Sequence, residues 1–206
     1  MRNYIHVDSY LNELLKDIYE QPPDSGHTEW TREVINNWIT KLTSCKSVLD
    51  VGCGEAFAQP MFENLHIEYT GVCLGIDFVN AKMHGRNALQ QDFNFLEFPD
   101  NSFDLIFARH ALEHSFSPIL SLFEWNRVGK QWLCLIMPTP KGWGWVGRNH
   151  YSVLSLSQCR FLTQRAGWHI IWEDHSDEKE YRFLAEKVER IGIMEDTDAM
   201  IDEDKK

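Results

Sequence analysis

Ser47-Val48-Leu49-Asp50-Val51-Gly52-Cys53-Gly54-Glu55-Ala56-Phe57 is the stretch that decides how this chain is read. Val48, Leu49 and Val51 are apolar and partly β-branched, which suits a strand buried in the middle of a sheet. The strand carries an acid, Asp50, and breaks into a glycine turn at Gly52 and Gly54. Glycines there let the backbone bend tightly and bring bare N–H groups close to a ligand. A helix starting at Glu55 or Ala56 would add unpaired N–H groups and a partial positive charge, favouring a bound carboxylate or phosphate. In an open α/β sheet this first turn lies at the carboxyl end of the strands, where ligands bind.

Strand and helix signals alternate on both sides of that stretch. Strands are expected at Thr70–Ile76 (ending at Asp77), Ala88–Gln91 (ending at Asp92), Phe103–Ala108, Gln131–Met137, His169–Trp172 and Tyr181–Lys187. Helices are expected around Tyr10–Ile18, over Thr31–Leu42, from the glycine turn to about Asn64, over Phe78–Gly85, over Pro118–Val128 and from Ser155 to Gly167. Gln21–Gly26 reads as a breaker between the first two. Ser155 with Gln158 three residues on is a capping-box pattern. The fold expected is α/β: a Rossmann-like, doubly wound, seven-stranded, mostly parallel sheet with an antiparallel last strand and helices on both faces. Residues 1–46 form a helical extension that either covers the sheet or acts as a lid. Residues 47–193 form the main domain, and residues 194–206 an acidic, frayed tail.

Composition narrows the function classes. A formal net charge of −11 argues against non-specific nucleic-acid binding or an anionic membrane surface, since both need a basic face. The longest fully apolar run, Trp132–Met137, is far short of the roughly 20 residues that span a bilayer. No secretory pattern opens the sequence. Cys45, Cys53, Cys73, Cys134 and Cys159 are scattered and contain no C-x-x-C pair, so a reduced, cytoplasmic setting without disulfides or a zinc site is expected. His110, His114 and His150 lack ligand spacing, and no metal is expected.

Two cofactor classes use such a sheet. A nicotinamide enzyme wants G-x-G-x-x-G, and here the third position is Phe57, whose ring would obstruct close helix–strand packing. Val48–Gly54 instead resembles the first motif of the class I S-adenosylmethionine-dependent methyltransferases, in particular the small-substrate, type 11-like members. Gly75–Phe78, Gln91–Phe93, Leu96–Ile106 and Ala111–His114 resemble that family's later motifs in order, and Tyr151–Trp168 its late helix and sixth strand.

The resemblance implies S-adenosylmethionine as cofactor and a small-molecule methyl acceptor. By the same resemblance Gly52, Cys53 and Gly54 would lie under the methionine carboxylate, and Asp50 would order its amino group. Asp77 would accept from both ribose hydroxyls, and Phe78 would flank the adenine. Asp92 would accept from the adenine amino group, with the Phe93 N–H serving a ring nitrogen. Arg109 and His110 would face the methionine end and the departing methyl group. Where many members carry glycine this chain has Ala56, expected to narrow the pocket without loss of binding.

A general base is needed only if the accepting atom holds a proton. His110 is the leading candidate, with His114 one turn on. Trp143, Trp145, His150 and Tyr151 either wall the acceptor pocket or pin a long loop, and Gly142, Gly144 and Gly147 allow that loop to hinge. A methyltransferase-like binding protein without catalysis is the alternative, and a nicotinamide oxidoreductase a further one. The sequence leaves the acceptor atom and the oligomeric state open.

Overall fold

The computed structural model describes residues 9, 13–17, 25–42, 44–142, 147, 149–176 and 178–188. The expected apolar face at Tyr10, Leu11 and Ile18, the tryptophans Trp143 and Trp145, and the acidic tail lie outside those residues. Seven strands form one sheet: β1 Ser47–Val51, β2 Glu68–Cys73, β3 Ala88–Gln90, β4 Phe103–Arg109, β5 Gly129–Pro138, β6 Trp168–Asp174 and β7 Glu180–Lys187. Their spatial order is β3-β2-β1-β4-β5-β7-β6. Neighbours pair parallel except around β7, which runs antiparallel to both β5 and β6. The last strand therefore inserts beside β5 and leaves β6 at the edge.

The order reverses between β1 and β4, which opens the crevice where open α/β sheets bind ligands. β1 is central because its apolar residues serve two cores. Val48 packs into one face, and Leu49 and Val51 into the other, all fully buried. Strand alternation then places Asp50 on the Val48 face.

Five α-helices of known bounds flank the sheet among the described residues: α1 Ser25–Asn37, α2 Gln59–Glu63, α3 Gly75–Met83, α4 Pro118–Val128 and α5 Leu156–Arg165. α1 buries Val34 and Ile35, and the turn after it Trp38 and Ile39, on the Val48 face. This part of the extension covers the sheet. It begins within the stretch read as a breaker, since Ser25 and Gly26 are already helical. α5 carries the expected cap: the Ser155 side chain accepts from the Gln158 N–H, and the Gln158 side chain accepts from the Ser155 N–H.

Two boundaries differ from expectation near the glycine turn. Residues 54–58 are turns, and α2 starts only at Gln59, because Gly54 and Ala56 both have positive φ (54° and 58°), outside the helical region. Phe57 consequently faces solvent at 55% exposure, while Ala56 and Ala58 turn inward. The ring at 57 thus obstructs no helix–strand contact. Second, β2 ends at Cys73 rather than Ile76, so Asp77 lies in the first turn of α3 instead of at a strand end.

Candidate active site

The turn after β1 is held from beneath. The Gly52 and Cys53 N–H groups both donate to the Val72 carbonyl, at 2.9 and 3.0 Å. They brace β2 rather than face a ligand as expected from sequence. Gly54 differs: its N–H makes no hydrogen bond among the described residues, and a Cβ built there would meet nothing within 4 Å. Gly52 has φ +69°, and a Cβ there would lie 2.7 Å from Ala111 Cβ. Ala111 follows β4, so a bare Gly52 lets the two loops of the crevice touch. Ala56, at φ +58° and fully buried, holds with a methyl group a conformation that favours glycine.

Beneath the turn, Asp50 Oδ2 accepts from Tyr69 Oη at 2.7 Å. Gly71 makes this possible, because a Cβ there would lie 2.7 Å from Cys53 Sγ and 3.0 Å from the Tyr69 hydroxyl. Burial raises the Asp50 carboxyl to about 7, against the smaller opposing pulls of Tyr69 and Arg109. The unfolded chain then loses this proton at lower pH than the native one. Stability accordingly falls as pH rises from about 4 to 7, by up to about 1.4 kcal/mol per pH unit. Asp50→Asn should remove that slope in urea titrations across this range, and an unchanged slope would contradict the assignment.

Asp92 and Phe93 follow β3, at the far side of the crevice. Asp92 Oδ1 accepts from the Asn94 N–H (2.9 Å) and Nδ2 (2.8 Å), but its buried Oδ2 has no partner among the described residues. Burial raises this carboxyl, and the Asn94 bonds oppose the rise. The Phe93 N–H likewise makes no bond among the described residues, while its carbonyl accepts from Trp125 Nε1 at 3.0 Å. Asn94 is itself fixed by the hydroxyls of Ser115 and Ser121, which hold the loop to α4. An orphaned acceptor beside an unused donor matches the amidine edge of an adenine, which offers one N–H donor and one ring acceptor. Asp92→Asn should weaken S-adenosylhomocysteine binding about tenfold or more by calorimetry while leaving the melting temperature nearly unchanged. Undiminished affinity would remove Asp92 from the site.

Asp77 is half-buried in the first turn of α3. It shares a helix face with Asn80, whose Nδ2 donates to Glu55 Oε1 of the glycine turn at 3.1 Å. The strand-end position is taken by Cys73, within hydrogen-bonding reach of Cys53. Phe78 packs partly buried against the core of the same face.

Arg109 and His110 turn toward β7. Arg109 Nη2 lies 2.8 Å and His110 Nε2 2.9 Å from Oε1 of Glu180, while Arg182 Nε donates to Oε2 at 3.2 Å. Burial alone would raise the Glu180 carboxyl, but His110, Arg109 and Arg182 outweigh it and hold it at about 2. Strand register builds this cluster: Arg109 aligns with Ile136, and Ile136 with Arg182, two residues from Glu180 on the same face. His110, at φ +49°, is committed to this carboxylate.

His150 and Tyr151, expected from sequence to wall the acceptor pocket or pin a loop, lie in the segment before α5. The Tyr151 ring stacks on Phe116 at 3.9 Å between centroids, and its hydroxyl donates to Asp17 of the helical residues 13–17. His114 Nδ1 lies 3.1 Å from the Asn149 carbonyl, and burial lowers this imidazole to about 4. A separate cleft of about 420 Å³ lies between α1 and the outer strands, walled by Trp38, Trp172 and Arg182, and includes no residue of the glycine turn. Among the described residues no helix is long and apolar enough to cross a membrane.

Residues 49–132 match a family model described as a methyltransferase domain. Phosphoethanolamine N-methyltransferase of Triticum aestivum is 27% identical over 172 residues, covering 75% of this chain and 34% of that protein. The Plasmodium falciparum protein of that name is 27% identical over 151 residues, covering 67% and 53%. The chain thus spans about a third to a half of the length of these relatives. A solved S-adenosylmethionine-dependent methyltransferase from Archaeoglobus fulgidus superposes with a TM-score of 0.63 at 16% identity, covering 86% of this chain and 99% of that one. The likeness in structure is one of fold.

Proposed function

From its place among the class I S-adenosylmethionine-dependent methyltransferases, with S-adenosylmethionine as cofactor, we propose that this chain transfers the methyl group to a small amine. The carrying observation is the pairing of two unmet needs across the crevice. Gly54 leaves an open cradle with a spare N–H, and Asp92 Oδ2 with the Phe93 N–H awaits a base. One ligand with an amino-acid tail and an adenine satisfies both. Bound there, it supplies an activated methyl group on sulfur.

The protein's remaining tasks are to exclude water and hold the nucleophile in line, which in favourable model systems supplies roughly 7–11 kcal/mol. The Phe116–Tyr151 stack with Asp17 offers aromatic faces and a carboxylate, a combination suited to an amine or its ammonium form. The names of the wheat and Plasmodium relatives favour nitrogen as the accepting atom. The test is transfer of radiolabelled methyl from S-adenosylmethionine to a panel of small amines, phosphoethanolamine included. Labelled product from at least one amine, lost in Gly54→Val, is expected. No transfer to any, with the cofactor bound, would favour a second reading. That reading is a cofactor-binding protein without catalysis, and the engagement of His110 by Glu180 is the observation on its side.

A further inference from the structure

Glu113 is fully buried, yet among the described residues neither of its carboxylate oxygens has a hydrogen-bond partner on another residue. An unpaired carboxyl in the interior either keeps its proton or, when ionised, needs a cation beside it. Two imidazoles stand beside it: one ligand atom from each of Glu113, His114 and His150 falls within 4.8 Å of the others. We propose that Glu113, His114 and His150 form a binding site for a divalent transition-metal ion of the zinc type. The proposal stands apart from the methyl-transfer reading.

The chemistry of the donor set fits. Two imidazoles and a carboxylate are a common three-ligand set for zinc, with a water in the fourth position. The Asn149 carbonyl can only accept, so His114 Nδ1 must donate to it. This leaves Nε2 as the lone-pair nitrogen, oriented by a backbone carbonyl as metal-bound imidazoles usually are. The segment that brings His150 is clamped in place. The Tyr151 and Ser152 N–H groups donate to the Glu113 carbonyl at 2.7 and 3.0 Å, and Ser152 Oγ donates to the Ser115 carbonyl at 2.6 Å.

Gly147 gives the His150 ring its room, since a Cβ there would come within 2.5 Å of it. Zinc bonds of about 2.0–2.2 Å place ligand atoms about 3.4 Å apart, so atoms within 4.8 Å of one another need to close by at most about 1.4 Å. The sequence separates the third ligand by more than thirty positions from the adjacent pair, which is why spacing did not reveal the set. His110, the third histidine weighed from sequence, is drawn away to Glu180, and Glu113 takes its place.

The experiment is metal titration of the chelator-stripped full chain, read by zinc retention after dialysis and by the visible absorption of cobalt(II). One ion per chain is expected, with the cobalt spectrum of a four-coordinate nitrogen–oxygen site. His150→Ala should weaken binding at least about tenfold, and Gly147→Ala, which displaces the ring without removing a ligand, should weaken it as well. Circular dichroism separates loss of the site from loss of fold. The wild-type titration decides by itself: no retained ion overturns the proposal, as does binding that His150→Ala leaves unchanged.

Discussion

Gly52→Ala is expected to lose about 2–5 kcal/mol of stability, adding a left-handed backbone cost of about 1–2 kcal/mol to an overpacking cost of about 1–3. The reason is local: the new Cβ would stand 2.7 Å from Ala111 Cβ, at a φ of +69°. Relief requires the turn after β1 and the segment after β4 to separate, and that deforms the crevice itself. Gly54→Ala makes the informative contrast. It too has positive φ, but nothing lies within 4 Å of its built Cβ. Its stability cost should stay near 1–2 kcal/mol. Affinity for S-adenosylhomocysteine should nevertheless fall about tenfold or more, because the methyl group enters ligand space. Urea titration and calorimetry on both variants separate the roles. Equal stability losses would mean that Gly52 does not brace the two loops.

Glu180→Ala is the second large effect, at about 3–5 kcal/mol, or roughly 6–20 °C in melting temperature for a chain of this size. Removing this carboxylate leaves Arg109 and His110 facing each other at side-chain exposures of only 11 and 14%, while Arg182 keeps its longer pairs to Asp174 (3.8 Å) and Glu33 (4.0 Å). Unpaired buried charge is the costly product, so the loss should greatly exceed that from a surface pair, such as Lys16→Ala opposite Glu13. With its carboxyl depressed to about 2, Glu180 stabilises fully above its ordinary pKa, and that contribution is lost as pH falls toward 2. A loss under about 1 kcal/mol at neutral pH would show the cluster to be incidental.

Features carried by local pattern were legible in the sequence. Apolar runs gave β1, β4 and β5, prolines and capping gave α4 and the start of α5, and the alternation of elements gave the sheet class. Features that depend on register were not. Glu180 becomes a centre of charge only because β5 aligns Pro138 with it and Ile136 with Arg182. Tyr69 reaches Asp50 only because Gly71, aligned with Asp50, has no side chain. The helix after the glycine turn starts late because two residues with positive φ interrupt it, and an alanine in that state carries no mark in the sequence. Asp77 reads as a strand end because Leu74 and Ile76 continue the apolar run, whereas the chain turns at Gly75, φ +60°, into the helix that holds Asp77.

The most direct measurement of the central claim is calorimetric titration of the full chain with S-adenosylhomocysteine, with NAD as the control. The account predicts saturable binding of one S-adenosylhomocysteine per chain, displaced by S-adenosylmethionine, abolished by Gly54→Val and absent with NAD. No binding of S-adenosylhomocysteine by the folded protein, or equal binding of NAD, would contradict it.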